Sequence, residues 1–283
     1  MRNKWERDPG YTVGGAAMLT VPKWVKNPRG KYYLYSSSSR GTYIRLNVAD
    51  AVEGPYHTVE EGVLNVEGIE FCKDHIMGPS LLVDDDAQEI TMYYHCNCQN
   101  TDKKKCDMNG EVVFAATSTD GYSWKLSADA VTSTSAMVTR IGNKYYMFNK
   151  DTVYVSSESK TSGWHSVGKT ANAAKKRMNY PSVLQVGSKL VAAWSNREDD
   201  TLEYAVVDLD GEDLEGEEPL KGDVWGGFGD VGILVKQTEE WEMPLHGGNA
   251  VKDPTLFFGN DGRPYVTYTL AADTGIGLAK IEG

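Results

Sequence analysis

The chain has 283 residues, and its 29 basic against 40 acidic side chains give a formal net charge of −11. This charge argues against nucleic acid or an anionic membrane surface as a partner. Hydrophobic residues make up 40% of the chain, which is enough for a core, and the 16 Tyr, 7 Trp and 29 Gly are typical of many short strands joined by tight turns.

The first residues carry no visible targeting signal. Residues 1–8 are mostly polar and charged, without the apolar stretch that a signal peptide requires. No apolar run in the sequence approaches the roughly 20 residues of a membrane span. We therefore expect a cytoplasmic protein without a membrane partner, or a secreted one if the sequence is a trimmed form.

The first predicted structural unit begins at residue 19. An apolar run at 19–25, which contains Pro22, leads through a turn at 27–30 into a Tyr-rich strand at 31–35. A third strand is predicted at 43–48, and an outer strand opens at 54–56. An apolar run, a tight turn and an aromatic strand in this order form a pattern that returns along the chain.

The pattern returns four more times. The second unit has predicted strands at 74–83, 90–95 and 111–117, the third at 136–141, 144–148 and 152–156, the fourth at 177–184, 190–194 and 201–208, and the fifth at 252–258, 264–268 and 275–281. Each unit spans roughly 40 to 60 residues, as propeller blades do, and a unit that cannot bury its own face stacks on its copies. The repeat predicts an all-β fold, a single five-bladed β-propeller domain over residues 1–283.

The fifth unit stops after three strands. Because an open sheet edge promotes aggregation, we expect residues 11–18 to supply the missing strand, so that the N-terminal strand joins the C-terminal blade and closes the ring. No segment indicates a helix of ordinary length. The alternative is a β-sandwich or a pair of small β domains, but these would not show the longer repeat above their turn signals.

Four cysteines lie within 35 residues of one another, together with His75 and His95: Cys72, Cys96, Cys98 and Cys106. The number of ligands is sufficient for zinc, but the C-x-C-x7-C spacing is not a standard zinc pattern. A Cys98–Cys106 disulfide is a second alternative, and reduced thiols are the default for an intracellular protein. We predict no cofactor and no metal ligand set, although a calcium or other ion on the propeller axis stays open.

The order of the motifs resembles the five-bladed propeller glycosidases, the superfamily that contains glycoside hydrolase families 43, 32, 68, 117 and 130. The resembling elements are residues 252–254 with the turn at 259–262, the strand openings at 78–80 and 179–181, and an S-x-D-G-x-x-W sequence at 118–124. These elements extend over nearly the whole chain, and they match the family in the spacing of the motifs rather than in amino-acid identity. The resemblance implies three acidic residues at the mouth of the propeller: a base or nucleophile, an acid, and a residue that tunes pKa or orients the sugar.

The sequence departs from that pattern in several units. The first unit has no acid at its opening, residues 21–24, and the third and fourth open with Arg140 and Arg177. Only Asp253 and Asp74 supply an acidic group. Family 117 enzymes use a His as the acid, so the resemblance also makes His75, next to Asp74, or His246 a candidate for that role.

Asp253 is the candidate base. Glycoside hydrolysis needs one group that protonates the leaving oxygen and another that activates water or attacks carbon. Asp253 precedes Pro254 at the start of a predicted innermost strand, and a residue before proline favours an extended conformation. A turn-capping Asp is the alternative. The loop at 239–249 supplies the acid candidate, Glu242, which we prefer to Glu240.

Several further residues are candidates for substrate binding. Aromatic rings stack on the apolar faces of sugars, and guanidinium groups match carboxylates, as in a uronic acid. The predicted binding residues are Asp74, Arg140, Arg177, Asn179, Trp194, Arg197, Trp241 and His246. For the arginines, salt bridges with neighbouring acids are the alternative.

Together these features predict a glycoside hydrolase-like protein that cleaves an oligosaccharide at the central funnel by acid/base catalysis. We expect a monomer or homodimer. The alternative is a catalytically inactive propeller that binds carbohydrate or protein.

Overall fold

The computed structural model describes residues 13–38, 41–98, 110–127, 129–133, 135–178, 180–196, 198–236, 251–270 and 275–281. In this part of the chain, antiparallel strands form five sheets that follow one another along the sequence. This arrangement confirms the predicted all-β, five-bladed propeller.

Blades one and two occupy the N-terminal half of the chain. Blade one comprises β1 (Gly14–Thr20), β2 (Tyr32–Ser37), β3 (Tyr43–Ala49) and β4 (His57–Asn65). A short 3-10 turn at Val66–Gly68 leads into blade two, with β5 (Cys72–Asp84), β6 (Glu89–Cys98), β7 (Gly110–Ser118) and β8 (Lys125–Leu126). The two-residue strand β9 (Thr132–Ser133) also pairs with β7.

Blades three to five complete the ring. Blade three contains β10 (Met137–Ile141), β11 (Lys144–Asn149), β12 (Thr152–Ser156) and β13 (His165–Lys169). Blade four contains β14 (Ser182–Val186), β15 (Lys189–Asn196), β16 (Thr201–Asp208) and β17 (Gly232–Lys236), with the one-turn helix α1 (Gly222–Gly226) before β17. Blade five contains β18 (Val251–Phe258), β19 (Pro264–Leu270) and β20 (Ile276–Lys280). The innermost strands β1, β5, β10, β14 and β18 contact one another in a closed circle.

The packing between blades explains why the strands have apolar residues on both faces. On β6, Met92 and Tyr94 belong to a core shared with blade one, whereas Tyr93 packs against Val138 and Met147 of blade three. Successive side chains of a strand point to opposite faces, so a strand between two neighbours needs apolar residues at every position. This requirement produces the continuous apolar runs of the sequence.

Within the described residues, the predicted closing strand belongs to blade one and not to blade five. Residues 14–18 belong to β1, the innermost strand of blade one, where Ala17 pairs with Tyr35 and Leu19 with Tyr33. They do not join blade five, and residues 1–12 lie outside the described residues. The predicted first strand at 19–25 contains Pro22, which has no backbone N–H for a sheet, and the chain leaves the strand after Thr20.

Side-chain contacts connect blades one and five. Thr255 Oγ1 donates to the carbonyl of Ala16 at 2.9 Å, and the amide of Gly15 donates to Thr269 Oγ1 at 3.2 Å. An apolar cluster that includes Tyr32 and Phe257 lies between the same two blades.

The motif at 118–124 has a structural role. Asp120 Oδ1 accepts hydrogen bonds from the amides of Tyr122 and Ser123 at 2.9 and 2.7 Å, and the Trp124 ring packs edge-on against Tyr35 at 5.9 Å. An Asp that accepts amides two and three residues later holds a tight turn. This part of the resemblance therefore reports the blade architecture.

The cysteines differ from the expectation of reduced thiols. Cys72 and Cys96 form a disulfide between β5 and β6, with a Cα–Cα distance of 5.6 Å. Cys98 is also disulfide-bonded, and Cys106, its predicted partner, lies outside the described residues. The default of reduced thiols is therefore wrong for Cys72, Cys96 and Cys98. A zinc site that uses the Cys72 or Cys96 thiolate is incompatible with this bond.

Within the described ranges, none of the helices has the length and apolar character needed to cross a membrane.

Candidate functional site

Two cavities lie along the propeller. The first, with a volume of about 700 Å³, follows the axis and is lined by residues of all five innermost strands. The second, of about 610 Å³, is lined by blade four, by the first residues of β18 and by the segments that lead into β14 and β17. We call this second cavity the mouth pocket. Its lining residues are Asn172, Ala174, Lys176, Arg177, Tyr180, Trp194, Ser195, Asn196, Glu198, Glu203, Val231, Asp253 and Pro254.

Asp253 lies on the blade-five side of the mouth pocket. Its side chain is exposed, and its amide donates a hydrogen bond to Ser195 Oγ at 3.0 Å. Its backbone has a φ of +52°, in the left-handed region, because β18 bulges between Lys252 and Thr255. The predicted extended conformation before Pro254 is therefore wrong. Bulges commonly redirect a side chain beside an active site, and here the bulge accompanies a carboxyl group on the pocket wall.

The same bulge recurs in other blades with different side chains. Gly15 in β1 and Gly78 in β5 have φ values of +56° and +63°, and the pairing of both strands shifts register at these positions. Tyr180, two residues before the start of β14, has a φ of +52°. The repeated turn thus carries Gly, Gly, Tyr and Asp in blades one, two, four and five.

Glu203 is one of three carboxyl groups on the pocket wall, together with Asp253 and the exposed Glu198. It lies on β16 opposite Trp194 of β15, is half-buried, and its Oε1 accepts a hydrogen bond from Asn196 Nδ2 at 2.7 Å. The sequence analysis predicted that Glu203 lies in a strand, but it did not identify Glu203 as a candidate site residue. The available signal was the short β15–β16 hairpin, which places Asn196 and Glu203 on neighbouring strands beside the same turn.

Arg177 lines the mouth pocket and also forms a salt bridge with a neighbouring acid, which was the alternative to substrate binding predicted for the arginines. Its Nη1 lies 2.9 Å from Asp151 Oδ2, and Lys169 Nζ lies 3.3 Å from the same oxygen. Burial alone would raise the pKa of Asp151, but Lys169 and Arg177 lower it below the ordinary value. With Lys176, Arg177 gives the segment that leads into β14 positive charge on the pocket wall.

Trp194 contributes to the blade-four core as well as to the pocket. Only 5% of the residue is exposed, and it packs within the core cluster of blades three and four. Trp194 therefore supplies an apolar edge among the polar lining residues, while most of its ring is held in the core.

Arg140 lies away from this pocket. It stands near the C-terminal end of β10 and lines the axial cavity, where its Nη1 lies 2.9 Å from Asp86 Oδ2 and 3.9 Å from Asp84 Oδ1. The structure therefore does not bring Arg140 together with Asp253.

Asp74 and His75 form a separate cluster on blade two. His75 Nδ1 lies 2.6 Å from Asp74 Oδ1, and the His75 ring stands edge-on to His95 at 6.2 Å between ring centres. His95 is buried, and burial lowers its pKa to about 4, against the opposing effect of Glu111. Neither histidine lines the mouth pocket.

The remaining predicted site residues lie outside the described residues: Asn179, Arg197, Glu240, Trp241, Glu242 and His246. In sequence, Asn179 adjoins Tyr180 and Arg197 adjoins Asn196, both of which line the mouth pocket.

Solved structures resemble this fold over nearly its whole length. The GH43_1 enzyme from Xanthomonas citri has a TM-score of 0.67 at 10% identity, covering 97% of this chain and 90% of the enzyme. The RS223 beta-xylosidase has a TM-score of 0.66 at 13% identity, covering 97% of this chain and 93% of that one. The exo-1,5-alpha-L-arabinanase from a bovine ruminal metagenomic library has a TM-score of 0.56 at 13% identity, covering 99% and 96%. The chain has the fold of the five-bladed propeller glycosidases.

This result confirms, for the fold, the resemblance found in the sequence. No family model matches the chain, and no curated protein sequence matches it. Because the propeller glycosidase fold is shared at 10–13% identity, the residues of the mouth pocket must themselves support any functional conclusion.

Proposed function

We propose that this propeller cleaves a glycosidic bond of an oligosaccharide in the mouth pocket between blades four and five. The observation that carries the proposal is that Asp253 and Glu203, from two different blades, line one cavity of about 610 Å³. Most glycoside hydrolases use two carboxyl groups, one on either side of the bond, for acid/base catalysis. Arg177 and Trp194 on the same walls supply a cation and an apolar surface.

The two carboxyl groups proposed to act in catalysis, those of Asp253 and Glu203, have different surroundings. Asp253 is exposed on the bulge of β18, whereas Glu203 is half-buried in the sheet and oriented by Asn196. We assign Asp253 as the base that activates water or attacks carbon, as the sequence predicted. We assign Glu203 as the acid, because catalytic acids occupy the less solvated position. Glu242 remains the sequence-based candidate for the same role.

The solved structures give a first choice of substrate. The Xanthomonas citri enzyme has been determined with xylose and with xylotriose. We therefore propose short pentose oligosaccharides as the first class to test. A uronic acid side group is the second class, because Arg177 and Lys176 can pair with its carboxylate.

The experiment is an assay of the purified chain on aryl xylosides, arabinosides and glucuronides and on xylotriose, between pH 4 and 8. Asp253→Asn is the principal variant, since Asn tolerates the left-handed backbone as well as Asp does. Loss of a catalytic acid or base reduces the rate by about 100- to 10,000-fold. Asp208→Asn is the matched control, because Asp208 is exposed at the end of β16 and lies outside the pocket.

Glu203→Gln and Glu242→Gln separate the two candidates for the acid. The proposal expects turnover by the wild type and the Asp208 variant, and its loss in the Asp253 and Glu203 variants. A wild-type protein that binds the sugars without turnover at any pH is a carbohydrate-binding propeller, and the proposal is then wrong.

A further inference from the structure

Three strands of blade two bring metal-ligating side chains together away from the mouth pocket. His75 lies on β5, His95 on β6 and Glu111 on β7. Pairing of Met77 with His95 and of Asn97 with Glu111 places the three residues near the same end of the sheet. One nitrogen of each histidine and one carboxylate oxygen all lie within 4.8 Å of one another.

The tautomer of His75 follows from its neighbours. Its Nδ1 lies 2.6 Å from Asp74 Oδ1, and Asn97 Nδ2 donates to the other Asp74 oxygen at 3.2 Å. A carboxylate only accepts hydrogen bonds, so Nδ1 carries the proton and donates it. In the neutral ring, Nε2 then presents a lone pair towards Glu111.

That Nε2 atom is buried without a hydrogen bond from any described residue. The side chain of His75 is only 9% exposed, and the nearest acidic oxygen, Glu111 Oε1, lies 3.7 Å from Nε2, beyond hydrogen-bond range. A lone pair facing a carboxylate is unfavourable unless a proton or a metal cation lies between them. Burying an unpaired polar atom costs free energy, and a bound cation removes this cost.

The position of His95 is fixed by its surroundings. Its Nδ1 lies 3.4 Å from Ser135 Oγ, and its ring packs against the backbone at Gly78, where an added Cβ would lie only 2.7 Å from Cε1. The ring therefore has little freedom to turn away from His75 and Glu111.

We propose that His75, His95 and Glu111 bind a divalent transition-metal ion, with Zn²⁺ as the best match. Two imidazoles and one carboxylate are the ligands of open zinc sites, in which the remaining position holds water or a substrate oxygen. The hydrogen bond from His75 to Asp74 is the carboxylate–histidine contact that orients metal-bound imidazoles. The ligand set contains no cysteine, since Cys72 and Cys96 are joined to each other. The site does not depend on the proposed glycosidase activity.

The test is a titration of the chelator-treated, intact protein with Zn²⁺ by isothermal calorimetry, and with Co²⁺ by visible absorption. The expected result is one equivalent of bound metal and a Co²⁺ spectrum of low coordination number. Asp74→Asn should weaken binding by about 10- to 100-fold, and His75→Gln and Glu111→Gln should weaken it further. His57→Gln and His165→Gln are controls, because both histidines are exposed on β4 and β13.

Glu111→Gln keeps the test valid if the histidine variants do not fold, since the Glu111 side chain is 50% exposed. Absence of stoichiometric Zn²⁺ binding by the wild type would overturn the proposal. Binding that survives unchanged in a folded Glu111→Gln variant would also overturn it.

Discussion

Asp253 and Gly15 occupy the same bulged position in neighbouring innermost strands, with φ values of +52° and +56°. A Cβ at Gly15 would lie 3.0 Å from the Cα of Gly78, which occupies the corresponding position in blade two. Close contact between β1 and β5 therefore leaves no room for a carboxylate on blade one. The position that carries Asp253 in blade five therefore carries no acid in blade one, and the mouth pocket is lined by blades four and five.

The left-handed backbone and close packing at Gly78 predict that a larger side chain at this position destabilises the protein. Gly78→Ala should destabilise the protein by about 1–2 kcal/mol for the left-handed backbone and by a further 1–3 kcal/mol for overpacking against His95. Gly187→Ala is the matched control, because Gly187 has a φ of +60° with nothing within 4 Å of the added Cβ. Urea denaturation of both variants measures the difference. Equal losses of stability would show that the contact with His95 is unimportant.

Asp253 should tolerate some substitutions better than others. Asp253→Asn and Asp253→Gly should keep the wild-type melting temperature, since both residues accept the left-handed backbone, while both lose turnover. Asp253→Ala should lose turnover and also about 1 kcal/mol of stability. Calorimetric melting combined with the glycosidase assay separates the two effects. A wild-type rate in the Gly variant would exclude a catalytic role for this carboxyl group.

The surroundings of Asp84 predict that the stability of the folded protein depends on pH. Burial alone would raise its pKa, but the amide of Ala87, Lys160 and Tyr145 together lower it from 3.8 to about 2. A depressed pKa stabilises the folded state above the unfolded pKa, and this stabilisation is lost as pH falls through 2. Asp84→Asn should therefore cost about 2 kcal/mol at pH 7 and progressively less below pH 4.

Denaturant unfolding of the wild type and Asp84→Asn from pH 7 to pH 2 measures this effect. Asp208→Asn provides the comparison, because Asp208 and Lys189 form an exposed pair of small energetic value. A destabilisation by Asp84→Asn that stays constant over the whole pH range would contradict the electrostatic explanation.

The Cys72–Cys96 disulfide should contribute to the stability of blade two. It closes a loop with a sequence separation of 24 residues, for which the loss of unfolded-state entropy corresponds to about 3 kcal/mol. The double variant Cys72→Ala/Cys96→Ala should therefore unfold at a lower denaturant concentration. Peptide mapping without reductant checks the pairing directly. Recovery of free thiols at Cys72 and Cys96 from the folded, oxidised protein would contradict it.

The sequence predicted the strands best where a clear turn precedes alternating apolar residues. The predicted strands at 152–156 and 201–208 agree with β12 and β16. The sequence missed β17, because the segment before it is acidic and rich in glycine and shows no strand pattern. The predicted position of the first strand of blade one was also wrong, because the Pro-containing run at 19–25 matched the repeat better than the Gly- and Ala-rich β1.

The site was harder to predict than the fold, because it depends on contacts between distant strands. Asp253 was found through its proline motif, but its bulged backbone was not. Glu203 reaches the pocket only through the β15–β16 register, and Glu111 reaches His75 only through the pairing of three strands. Neither relationship leaves a local pattern in the sequence.

The most direct test of the central claim is a crystal structure of the Asp253→Asn variant with the oligosaccharide that the wild type turns over fastest. The account predicts that the sugar lies in the mouth pocket, with its scissile bond between residue 253 and Glu203 and the two side-chain groups about 5–10 Å apart. A sugar bound in the axial cavity, or in the mouth pocket with Glu203 out of reach of the scissile bond, would contradict the account.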